Sequence, residues 1–174
     1  TADDHCASVP VLVGTGPGAL TGKVSYPTEA GAETPNRAVG DLDGDGNLDV
    51  VATNPGTRSM SRFMGKADGT LQPAITTPEG VGDHGPFSAA IGDFDGNGTA
   101  DIALGDVGGG PIIVVPGNGD GTFKPEVNYA TGGVGPFILI TTDLNLDGKL
   151  DLVAADRGRH NVPILLGRRD GPVT

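Results

Sequence analysis

One acidic nine-residue loop is written three times in this 174-residue chain. The copies span Asp41–Asp49, Asp93–Asp101 and Asp143–Asp151, and they start 52 and then 50 residues apart. Oxygen-bearing side chains recur at loop positions 1, 3, 5 and 9, with Gly46, Gly98 and Gly148 at position 6. Oxygens presented at that spacing wrap a hard cation, and the glycine permits the sharp turn. Recurrence at a fixed period of this size is also the signature of a repeat architecture, in which each unit packs on its neighbours.

Further repeated features lock the register. Gly65-Lys66-Ala67-Asp68-Gly69-Thr70-Leu71-Gln72-Pro73 returns as Gly117-Asn118-Gly119-Asp120-Gly121-Thr122-Phe123-Lys124-Pro125. Gly167-Arg168-Arg169-Asp170-Gly171 begins a third copy, and Gly14-Thr15-Gly16-Pro17-Gly18 is a degraded earlier one. Asp-Gly pairs accept positive φ and so mark hairpin turns. Each repeat then divides into four short strands. The first precedes the acidic loop (about 88–92 and 138–142), and the second opens at its last residue (Asp49–Thr53, Asp101–Gly105, Asp151–Ala155). The third is an apolar run (Arg58–Met64, Pro111–Pro116, Val162–Leu166), and the fourth follows the Asp-Gly turn (Leu71–Thr77, Phe123–Ala130). Four strands in about 51 residues make one blade of a β-propeller.

The expected fold is therefore all-β, with about 3.4 four-stranded blades per chain. The segments are a partial blade at 1–39, blades at 40–90 and 91–140, and a partial blade at 141–174. Val9–Val13 aligns with Val162–Leu166, so the array opens in the third strand of one blade and closes after the third strand of another. An open arc leaves two apolar faces wet. The expectation is a homo-oligomer, or the remainder of a larger propeller. A two-chain ring is one form it takes.

Composition excludes several classes. The net charge is −11, which argues against nucleic acid as a partner. The acidic loops hold ten of the 22 Asp and Glu residues, so a large share of the acidity is cation-site chemistry. No apolar stretch is long enough to insert into a membrane. The 31 Gly and 14 Pro keep fixed places between alternating apolar runs, which reads as turns between strands rather than disorder. Cys6 is the lone cysteine, so no disulfide forms within the chain.

These motifs together resemble the FG-GAP/VCBS repeat, the family that includes integrin α-subunit propeller blades and many secreted propellers. The resemblance implies up to three Ca²⁺ ions, one in each loop between the first and second strands of a blade. Carried over residue by residue, the first site is Asp41, Asp43, Asp45, the Asn47 carbonyl and Asp49. The second is Asp93, Asp95, Asn97, the Thr99 carbonyl and Asp101. The third is Asp143, Asn145, Asp147, the Lys149 carbonyl and Asp151. The third departs from the pattern, with Leu146 where the others have Gly, and with Lys149 adding a cation. An EF-hand needs a bidentate Glu at position 12. Ala52, Leu104 and Ala154 stand there, so that reading fails. Loops without His or Cys also argue against zinc and copper.

The resemblance implies a secreted or cell-surface protein whose ions stiffen a scaffold. The function expected is a calcium-stabilised binding or adhesion module for carbohydrate, as a lectin, or for a protein surface. The alternative is the scaffold portion of a secreted polysaccharide lyase or hydrolase with its catalytic residues mostly outside this chain. A third reading is an assembly unit with no function beyond folding. No catalytic residue is assigned. His84, in a connection between blades, has Val134 as its equivalent and so is not a scaffold residue. His5 beside Cys6 is no evidence of a dyad, and His160 falls in a turn. Two aromatic pairs hold equivalent places, Tyr26 with Tyr129 and Phe87 with Phe137. Such repetition suits scaffold packing at least as well as a sugar platform.

Overall fold

Alternating apolar and polar residues between Gly-rich turns fold into short antiparallel strands. The computed structural model describes residues 7–14, 16, 19–29, 34–78, 85–106, 108, 110–131, 135–156 and 161–167. Among them are thirteen strands in four antiparallel sheets and a single 3-10 turn, Pro55–Thr57. His5, Cys6, His84, His160 and the Asp170-Gly171 turn lie outside the described residues.

The first sheet is a hairpin of β1 (Ser8–Gly14) and β2 (Leu20–Pro27). The second runs β3 (Arg37–Gly40), β4 (Asp49–Asn54), β5 (Ser59–Phe63) and β6 (Ile75–Pro78) in sequential order. The third repeats that order with β7 (Pro86–Gly92), β8 (Asp101–Asp106), β9 (Ile112–Val115) and β10 (Val127–Tyr129). The fourth has β11 (Pro136–Thr142), β12 (Asp151–Asp156) and β13 (Ile164–Leu165). In each of these three sheets the acidic loop joins the first strand to the second. The fourth strands are shorter and later than the sequence suggests. After the turn, Leu71 and Phe123 make only isolated bridges, to Gly65 and Gly117. Pro73 and Pro125 then lack the N–H that a continuous ladder requires.

Alternation along each strand splits its side chains between two interfaces. Ile102, Leu104, Ile113 and Val115 point from the third sheet to Val51, Met60 and Met64 of the second. The residues between them, Ala103, Ile112 and Val114, point the other way, to Leu139, Leu152, Ala154 and Leu165 of the fourth. Val9 of the hairpin joins Ala52 and Phe63 on the far side of the second sheet. The first strands β3, β7 and β11 are packed in succession along one edge of this stack. The sheets thus stack face to face in chain order as blade-like units, and no ring closes among the described residues.

The glycine that ends each third strand is fixed by close approach. A Cβ on Gly65, Gly117 or Gly167 would overlap the backbone carbonyl oxygen of Leu48, Ala100 or Leu150 respectively. Each of those carbonyls immediately precedes the last aspartate of an acidic loop. The contact pins the loop to the turn at the outer end of the same sheet.

Candidate metal centre

Alternating Asp and Gly make each loop fold around its own carboxylates. In the first loop Asp41 accepts the amides of Gly44 at 2.7 Å and Gly46 at 2.9 Å. Asp43 accepts from the Asp45 amide at 3.2 Å, and Asp45 from the Asn47 amide at 2.7 Å. The second loop repeats this: Asp93 accepts from Gly96 at 2.8 Å and Gly98 at 2.8 Å, and Asp95 from Asn97 at 3.1 Å. Gly44, Gly46, Gly96 and Gly98 all have positive φ, which L-residues rarely adopt.

These turns converge the acids. Carboxylate oxygens of Asp41, Asp43 and Asp49 lie within 4.8 Å of one another, and so do those of Asp93, Asp95 and Asp101. Like charges this close disfavour ionisation unless a cation joins them. Burial, and then the neighbouring carboxylates Asp95 and Asp93, hold Asp101 above the usual carboxylate range. Asp43 is raised as well, by loss of solvent and then by Asp45, Asp49 and Asp41. The donor set is all oxygen, which fits a hard divalent ion such as calcium.

Asp45 at position 5 is outside the first three-acid group, and the second loop has the amide Asn97 at that position. Asp45 instead binds the Asn47 side-chain amide at 2.8 Å, which holds its pKa below the ordinary value. Asn97 accepts from the Thr99 amide at 2.7 Å. The backbone carbonyls of Asn47, Thr99 and Lys149 follow these turns.

The third loop keeps the frame with a weaker charge set. Asp143 accepts from Gly148 at 2.9 Å and Asp147 at 3.1 Å, and Asn145 from Asp147 at 3.0 Å. With Asn145 at position 3, no three-acid group forms there among the described residues. Lys149 Nζ sits 3.2 Å from Asp147 Oδ2. Although partial loss of solvent acts against it, Asp147 is held below its ordinary pKa by hydrogen bonds from Lys149 and Asn145.

Leu146 has φ 60°, where Gly44 has 75° and Gly96 has 72°. It is 87% exposed, so packing gives nothing back. Left-handed geometry costs a branched residue about 1–2 kcal/mol. Glycine's greater freedom when unfolded returns part of the difference. Leu146→Gly is expected to stabilise the protein by about 0.5–1 kcal/mol, read as a higher urea midpoint at unchanged slope. An unchanged or lower midpoint counts against strain at this position.

The structure adds a second role for position 9. Asp49 Oδ2 accepts the Leu42 amide at 2.8 Å, and its Oδ1 accepts the Gly65 amide at 2.7 Å. Asp101 does the same with Phe94 at 2.9 Å and Gly117 at 2.8 Å. Asp151 does so with Leu144 at 2.9 Å and Gly167 at 2.9 Å. All three aspartates are buried. One carboxylate thus ties the start of the loop to the end of the third strand. A glycine always sixteen residues after the aspartate was the available signal, and the sequence reading passed over it.

A cleft of about 640 Å³ opens between the second and third sheets, lined by Met60, Ile75, Leu104, Val115, Phe123 and Arg62 among others. Arg62 lies 4.7 Å over the Phe123 ring and donates to the Gly121 carbonyl at 2.9 Å. Its Nε is buried with no partner, and burial lowers its pKa. Nothing in the sequence singled it out, because the equivalent position in the next repeat is Val114. The paired aromatics serve packing. Tyr26 meets Phe63 edge-on at 6.2 Å and accepts the Leu71 amide at 3.0 Å, while Phe87 and Phe137 stack on each other at 4.3 Å. Tyr129 packs on the core between the last two sheets.

The profile of the FG-GAP-like repeat matches residues 41–104, from the first acid of loop one into β8, the strand that follows loop two. The match bears out the resemblance read from the sequence. No curated protein matches the chain. No helix among the described residues is long and apolar enough to cross a membrane.

Proposed function

We propose that this chain, carrying an FG-GAP-like repeat over residues 41–104, is a calcium-stabilised extracellular binding module. The observation that carries the reading is the pair of three-carboxylate groups, each built at the same place in successive sheets. Asp41, Asp43 and Asp49 would hold one ion, and Asp93, Asp95 and Asp101 a second. Asp143, Asn145, Asp147 and Asp151 would hold a third and weaker one, because Lys149 competes for Asp147. The ion supplies charge neutralisation. The chain supplies loops already folded by their own amides, so little ordering remains to be done on binding. Calcium titration should give binding in the micromolar range or tighter for loops one and two and weaker binding for loop three. Heat release equal to that of buffer alone would sink the reading.

The ligand we propose is a carbohydrate, seated in the cleft between the second and third sheets. The apolar floor of Met60, Ile75 and Phe123 suits the flat face of a sugar ring, and Arg62 and Lys124 at the wall suit an acidic substituent. Glycan-array binding is expected, weakened on Lys124→Ala, an exposed side chain at the cleft wall whose removal leaves the melting curve unchanged. Binding to a protein surface without glycan binding would favour the adhesion reading instead.

A further inference from the structure

The turn after β9, residues 117–123, is held between both three-acid loops. Its own loop holds one side. Asp101 Oδ1 accepts the Gly117 amide at 2.8 Å, and Thr99 Oγ1 donates to the Gly117 carbonyl at 3.2 Å. A Cβ on Gly119 would overlap the Thr99 methyl. The loop of the preceding sheet holds the other side. A Cβ on Gly44 would lie 3.6 Å from the Gly119 carbonyl oxygen, and one on Gly121 would lie 3.6 Å from Asp43 Cβ and 3.3 Å from Met64 Cε. The equivalent turn of the second sheet has no such neighbour among the described residues, since a Cβ on Gly69 would meet nothing within 4 Å.

Hydrogen bonds make this turn one piece. The Asn118 amide donates to the Thr122 carbonyl at 3.0 Å, the Thr122 amide to Asp120 at 2.9 Å, and the Lys124 amide to the Pro116 carbonyl at 2.8 Å. A shift at Gly119 or Gly121 is therefore carried to Phe123 and Lys124, which line the cleft between the second and third sheets. Arg62 clamps the turn from across that cleft. Its Nη1 donates to the Gly121 carbonyl at 2.9 Å and its Nη2 to the Thr77 hydroxyl at 3.3 Å, with the guanidinium 4.7 Å over the Phe123 ring.

We infer that the 117–123 turn couples the first two acidic loops to the cleft, so that filling the loops and closing the Arg62 clamp favour each other. The inference rests on the calcium reading above and gives the regulation of the proposed cleft. Without a cation, Asp41, Asp43 and Asp49 repel at close range, and the first loop spreads against Gly119 and Gly121. With that charge neutralised, Asp43 draws inward and the turn seats on the loop. Its Gly121 carbonyl then meets Arg62, and Phe123 lies under the guanidinium. Coupling between two sites is reciprocal, so the clamp must also favour the ions. The sign is diagnostic. Arg62 is a cation, and Coulomb repulsion alone has it weaken calcium binding. Acting through the turn, it strengthens that binding.

Calcium titration by calorimetry, with no glycan present, tests the coupling. Arg62→Lys keeps the charge and loses the fork that joins Gly121 to Thr77. It is expected to weaken the tighter class of sites about fivefold or more. Arg62→Met removes the cation and is expected to weaken them as well, where Coulomb repulsion alone gives tighter binding. Arg37→Met removes the same charge from an exposed position on β3 and is expected not to weaken them. The chain has no Trp, so Phe123→Trp sets a single reporter on the turn. Its emission is expected to change over the same calcium range as the heat. Unchanged or tighter calcium binding in the folded Arg62→Lys chain overturns the inference, and so does equal weakening by Arg37→Met. Emission that stays constant through a titration with a binding heat overturns it as well. Heat equal to that of buffer alone in the wild type overturns the calcium reading, and the coupling with it.

Discussion

Stripping divalent cations with a chelator is expected to lower the midpoint of thermal unfolding by on the order of 20 °C. A ligand that binds only the folded state adds about 2.7 kcal/mol per site at a hundredfold excess over its Kd. For a chain of this size each kcal/mol moves the midpoint by about 2–4 °C. The expectation has a structural cause. Two loops hold three carboxylates within 4.8 Å, and Asp43 and Asp101 are raised by burial and by their acidic neighbours. Calcium removes that repulsion, and its absence restores it to the folded state alone. Circular dichroism scans with calcium and with chelator decide the matter, and superimposable curves would mean that the loops fold without an ion. Magnesium should restore less of the loss, because it demands a tighter octahedron and keeps its waters.

Asp101→Ala is expected to cost about 4 kcal/mol in calcium and to remain costly in chelator. The side chain accepts the amides of Phe94 and Gly117 in a buried setting, and each orphaned buried amide costs about 1–3 kcal/mol. Asp95→Ala makes the contrast. Its carboxylate accepts one loop amide, from Asn97 at 3.1 Å, and otherwise faces the other acids. It should be destabilising in calcium and cost less than about 1 kcal/mol in chelator. Urea midpoints of the two variants under both conditions separate the tie from the ion. Equal losses for both variants, vanishing together in chelator, would show that Asp101 acts only as a ligand.

Much of the fold was legible because it repeats. Asp-Gly turns and alternating Val, Ile and Leu runs are local signals, and three copies in register exclude a helical reading. The start of the second strand at the last loop aspartate was legible to the residue, at Asp49, Asp101 and Asp151. The fourth strands were read too long, since Leu71 and Phe123 look like strand starts until the prolines after them are weighed. Arg62 was missed because it interrupts the repeat instead of joining it. The cleft it walls exists only where two sheets meet.

The sequence alone determined the unit, since the acidic loop, the Asp-Gly turn and the strands between them all lie within one period. Short-range geometry sufficed there: a carboxylate binding an amide two to five residues on needs no distant partner. Tertiary structure decided which face each apolar residue serves and which acids meet. It also decided that the last aspartate of each loop belongs to two places at once. Gly117 is sixteen residues from Asp101 in the chain and 2.8 Å from it in the fold. Only the return of the third strand beside the second brings them together.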